Sequence, residues 1–124
     1  MTPNEQKAFE KYARGIIAKY QRKLLLDRHD IALEASTKTK YMECQFREPY
    51  LNTVIWYNPD SVGKDWSKKI FSDLKRSLIH ELCHVMTDPF YNHTTKRFVD
   101  KETLEEARET LTDHIAMIVF KSRI

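Results

Sequence analysis

Between Trp66 and Met86 the apolar residues Phe71, Leu74, Leu78, Leu82 and Val85 recur at helical spacing, and His80 and His84 fall nearly opposite them on the wheel. A helix with this division has one side for a core and another for a cleft. Residues four apart lie one turn apart on the same face, so the two imidazoles can aim at a single ion. Glu81 is rotated about 100° from His80 on a helix of 3.6 residues per turn, which puts it beside that ion and within reach of a water bound to it. The run His80-Glu81-Leu82-Cys83-His84 thus offers two ligands and one base. The plainer reading, two unrelated surface histidines, does not account for the way the faces are divided.

The rest of the chain supplies a frame for this helix. Thr2, Pro3 and Glu5 have the spacing of an N-cap, a first-turn proline and a capping-box glutamate. With Phe9, Tyr12, Ala13, Ile16, Tyr20 and Leu24 at helical spacing behind them, they predict a first helix over 3–25. Its other face, with Lys7, Lys11, Arg14, Lys19, Arg22 and Lys23, reads as solvated. From Asp30 the period changes to two: Ile31 and Leu33, then Met42, Cys44 and Phe46, alternate with more polar residues. After Glu48-Pro49, Leu51 to Tyr57 is rich in β-branched and aromatic residues, and Asn58-Pro59-Asp60 closes it with turn chemistry. These runs predict a three-stranded, mostly antiparallel sheet, in which Leu51 to Tyr57 is either an edge strand beside the cleft or an interior one. Asp88-Pro89 is expected to end the central helix, with a loop over 90–97. A last helix is expected from Asp100, capped with Thr103 three positions on, burying Leu104, Ala107, Leu111, Ile115 and Ile118. The expected fold is α+β: N-terminal helix, small sheet, histidine helix and a C-terminal helix rich in glutamate.

The 124 residues, 41% of them hydrophobic, suffice for one domain with one modest core. A net charge of +3, from 21 basic and 18 acidic residues spread along the chain, is too weak to imply a nucleic-acid partner. No window has the apolar length of a membrane span, and the polar start Met1 to Glu5 has no signal-peptide run, so the chain reads as cytoplasmic. The two cysteines, Cys44 and Cys83, do not make a disulfide framework; both are expected reduced, with Cys44 in the core.

A catalytic zinc site usually has three protein ligands and one open position, so a third ligand must lie elsewhere. The metzincin pattern is excluded, because Phe90 stands where its third histidine would be and Thr87 where its glycine would be. The final helix offers Glu105, Glu106 and Glu109. Here the segment Glu109-Thr110-Leu111-Thr112-Asp113, following His80-Glu81-Leu82-Cys83-His84 by one loop, resembles the gluzincin metallopeptidases, and the order of elements is similar to their minimal members. The resemblance covers the C-terminal half, from about Trp66 to Phe120. It implies Zn²⁺ held by His80, His84 and Glu109, with Asp113 orienting a zinc histidine. Glu105, Glu106 and His93 remain alternatives for the third ligand; proteases of the SprT and Spartan group use a third histidine, but His93 is too near His84 for that pattern and no CxxC pair follows.

The activity implied is hydrolysis of peptide bonds in a protein or peptide substrate through a metal-bound water, with Glu81 as general base. An oxyanion-steadying side chain is also implied, for which Tyr91, His93, Arg97 and His114 are candidates that spacing does not separate. Two other classes stay in view: a zinc-stabilised binding module without catalysis, and a nucleic-acid-associated protein using Lys19, Arg22, Lys23, Arg28, Lys38 and Lys40.

Overall fold

The fold was analysed in a computed structural model, which describes residues 1–47, 52–94 and 100–122. Helix α1 (Pro3–Lys23) begins as the sequence predicts: Thr2 accepts from the Glu5 amide, and the Glu5 carboxylate accepts in return from the Thr2 amide. It buries Phe9, Ala13, Ile17 and Tyr20. Leu24 caps it, and Leu25 takes a left-handed conformation that leaves its side chain in solvent, while Leu26 turns back inward.

Three strands follow, β1 (Asp30–Ala35), β2 (Met42–Arg47) and β3 (Asn52–Tyr57). The layout is α+β as expected, with mixed pairing in the sheet. Its order is β1-β3-β2, with β3 parallel to β1 and antiparallel to β2. The stretch ending at Tyr57 is therefore the central strand. Its burial fits that place, since Thr53, Val54, Ile55 and Tyr57 are all buried. The edge strand nearer the histidine helix is β2.

The expected helix over 66–86 is divided in two. Asn58-Pro59, read as a strand-closing turn, also starts helix α2 (Pro59–Ser67): the Asn58 side chain accepts from the Asp60 and Ser61 amides, and Pro59 sits in the first turn. Trp66 belongs to this short helix. Lys69, in the left-handed region, separates it from α3 (Phe71–Thr94). Helix α3 does not stop at Asp88-Pro89. A proline inside a helix removes one intrahelical hydrogen bond and crowds the carbonyl four residues back, at a cost of about 3 kcal/mol. Packing offsets it, because Thr87 and Asp88 are buried against the last helix, α4 (Lys101–Lys121), where the Thr87 and Thr112 hydroxyls share a hydrogen bond of 2.8 Å.

Helix α4 is capped by Asp100, with Thr103 donating to its carboxylate at 2.9 Å. Its buried face follows the expected apolar stripe only in part: Ile115 packs against the core and Leu104 is half-buried. Thr112 and Ala116 are buried, whereas Leu111 is 50% and Ile118 57% exposed, and Ala107 is also exposed. The helix is rotated so that polar side chains meet α3. Buried side chains from all four helices and from β1 and β3 form one cluster, including Phe9, Ile55, Tyr57, Leu78 and Leu82. Leu78→Ala should cost about 2–5 kcal/mol in urea unfolding, while Leu111→Gln should change stability by less than about 0.5 kcal/mol. Comparable losses in the two variants would contradict this orientation of α4.

Candidate metal centre

The core side of α3 fixes the other side. With Leu74, Leu78, Leu82 and Val85 buried, His80, Glu81, His84 and Asp88 are turned toward β2 and α4. Metal-ligating atoms of His80, Glu81 and His84 lie within 4.8 Å of one another. The Thr87–Thr112 bond holds α4 alongside, and Glu109, one turn before Thr112, comes over the imidazoles. One Glu109 oxygen is 3.3 Å from His80 Nε2 and the other 3.3 Å from His84 Nε2.

The remaining ring nitrogens face carboxylates too. His84 Nδ1 is 2.9 Å from Asp88 Oδ1 in a buried hydrogen bond, and His80 Nδ1 is 3.6 Å from Asp113 Oδ1. An ionised carboxylate only accepts, so the His84 proton sits on Nδ1 and leaves Nε2 a bare acceptor. That acceptor then faces another, the Glu109 oxygen. Only a cation between them makes the approach favourable. A proton is one such cation: burial opposes protonation of His84, but its bond to Asp88 and the charges of Glu81, Asp88 and Glu109 outweigh this and raise its pKa. A metal ion is the other. The two 3.3 Å separations end on different Glu109 oxygens, so this one carboxylate spans both imidazoles. The donor set of two imidazoles and a carboxylate also suits zinc.

Glu81 lies almost wholly out of solvent, and burial pushes its pKa up to about 8; His84 pulls it down, while Glu109, Asp88 and Glu43 add to the rise. It borders a cleft of about 400 Å³ whose walls include Met42, Glu43 and Cys44 of β2 and Arg108 and Glu109 of α4. A second cavity, of about 380 Å³, continues past His80 to Tyr41, Arg76 and Asp113. The Tyr41 hydroxyl in its wall donates to Asp65 at 2.6 Å.

The structure thus brings together His80, Glu81, His84, Glu109 and Asp113. Glu109 reaches both imidazoles with its side chain half exposed; of the other two α4 candidates, Glu105 is half-buried and Glu106 exposed. His114 is exposed as well. The side chains of Tyr91, His93 and Arg97 lie outside the described residues. Cys44 and Cys83 are both free thiols; Cys83 is buried in the core, whereas Cys44 is only partly covered and lines the cleft, so its expected place in the core is corrected. Two residues were missed in the sequence. Asp88 was read only as a helix stop, although its spacing of four from His84 puts it on the same face. Arg108 has no signal beyond adjoining Glu109. Comparison with family models, curated proteins and solved structures finds no match for this chain.

Proposed function

We propose that the chain is a zinc-dependent peptidase hydrolysing peptide bonds of a protein or peptide substrate. The observation that carries this reading is a single carboxylate, Glu109, within 3.3 Å of Nε2 of both histidines, beside a buried Glu81 that opens on a cleft. His80, His84 and Glu109 would hold Zn²⁺. Bound there, the ion acidifies water toward neutral pH and polarises a carbonyl.

The chain's own residues do the rest. Glu81 takes a proton from the attacking water and passes it to the leaving amide nitrogen. Asp88, hydrogen-bonded at 2.9 Å, keeps the His84 proton on Nδ1 so that its Nε2 remains a donor of an electron pair, and Asp113, 3.6 Å from His80 Nδ1, acts on His80 through its charge. An extended substrate would add along β2, whose Met42, Glu43 and Cys44 border the cleft at the edge of the sheet. No helix among the described residues is long and apolar enough to cross a membrane; a cytoplasmic site of action belongs to the same proposal.

Elemental analysis of protein purified without added metal is the test. About one zinc per chain is expected in the wild type, lost in His84→Ala and Glu109→Ala but kept in Glu105→Ala and Glu106→Ala. Absence of zinc from the wild type even after zinc is offered would refute the proposal. Zinc that binds without any Glu81-dependent cleavage would assign the centre to the alternative, a metal-stabilised binding module.

A further inference from the structure

His84 is gripped at both nitrogens, and the two carboxylates that grip it are tied by one guanidinium. Arg108 Nη2 is 3.3 Å from Glu109 Oε1, the oxygen that faces His84 Nε2, and Arg108 Nη1 is 3.8 Å from Asp88 Oδ1, the oxygen bonded to His84 Nδ1. The four side chains close a ring of alternating acid and base. We propose that Arg108 is a positioning residue that, with Asp88, sets His84 and Glu109 in ligand geometry before a metal arrives. The inference rests on the metal-site reading above and extends it to two residues outside the His-Glu-x-x-His and Glu-x-x-x-Asp patterns.

Charge explains why such a latch is needed. Beside His84, Asp88 and Glu109 converge from two helices, and repulsion between their charges would drive apart whichever can move. Glu81 and Asp88 are buried on α3 and held by packing. Glu109 is not: its side chain is 48% exposed, and water is open to it. A cation on the same helix, one residue before Glu109, holds it over the imidazoles. The same cation serves Asp88, because a buried carboxylate is costly unless its charge is compensated. A planar fork can serve two carboxylates at once, which a lysine ammonium cannot do with the same geometry.

Because Arg108 ties α4 to α3 through side chains alone, its effect should fall on ligand placement. The closing experiment measures zinc affinity by competition with a chromophoric chelator for wild type, Arg108→Met, Arg108→Lys, Asp88→Asn and the double variant Asp88→Asn/Arg108→Met. The visible spectrum of the cobalt(II) form of each is recorded alongside, together with melting of the metal-free proteins to establish that they are folded. Arg108→Met and Asp88→Asn should each weaken zinc binding about 10- to 100-fold, and Arg108→Lys should recover only part of the loss. The double variant should be weaker than either single one by much less than the product of their effects, and the cobalt bands of Arg108→Met should change shape, as a purely structural role would not require. Wild-type affinity in Arg108→Met, or full rescue by lysine, would overturn the latch while leaving the metal site standing. Failure of the wild type to bind zinc or cobalt would overturn both.

Discussion

Glu81→Gln is expected to keep its zinc and to lower peptide hydrolysis by about 10²–10⁴-fold, the range that a positioned general base contributes. The glutamine amide fills the same space but cannot accept and return a proton. The ligands His80, His84 and Glu109 are untouched by the change, so metal content separates loss of the base from loss of the site. Burial already holds Glu81 at a pKa of about 8 in the absence of metal. A nearby divalent cation would favour its ionised form and bring it toward the range of a working base. The rate of cleavage of an unfolded protein, followed by mass spectrometry with and without a zinc chelator, gives the answer. A variant that cleaves at the wild-type rate would remove Glu81 from the chemistry.

What the sequence discloses about this site depends on how far each relation reaches along the chain. The capping box of Thr2 and Glu5 and the shared face of His80 and His84 are set within one or two helical turns, and both are present. Glu109 lies 25 residues beyond His84; several glutamates of α4 were equal candidates on spacing, and only the resemblance singled one out. In the structure Glu109 lies 3.3 Å from Nε2 of both histidines, where a polar pair, Thr87 and Thr112, holds α4 against α3. That same pair explains the misread stripe. Leu111 and Ile118 follow the apolar period, but α4 turns its polar residues to α3, since α3 presents His80, His84, Thr87 and Asp88 there and these need partners more than they need apolar cover. Asp88-Pro89 follows a local rule for ending a helix, and its cost of about 3 kcal/mol is one that a long packed interface can offset. Strand order leaves no trace in periodicity at all, so β3 could be placed at the centre only by its pairing with both neighbours.

The metal-free protein should lose stability as pH rises from about 5 to 8, and Glu81→Gln should abolish most of that loss. In the unfolded chain Glu81 titrates near its ordinary value of 4.5, whereas in the folded protein it does so at about 8. Between those values the folded state retains a proton that the unfolded chain has given up. The contribution to stability is therefore complete below the lower value, falls through the interval, and is gone above the upper one. At about 1.36 kcal/mol per pH unit the effect is on the order of 4 kcal/mol, or a melting temperature lower by on the order of 10 °C at pH 8.5 than at pH 5. His84, whose pKa is raised, works in the same direction, because its stabilising proton is also lost as pH rises. Glutamine carries no charge to desolvate, so the metal-free variant should melt higher than the wild type at pH 8.5 and close to it at pH 5. Saturating zinc should flatten the wild-type dependence by favouring the ionised carboxylate. Melting curves of both proteins at the two pH values, with chelator and with zinc, measure all of this. Parallel curves for wild type and Glu81→Gln in chelator would mean that the buried carboxylate is not the strained group this site is built around.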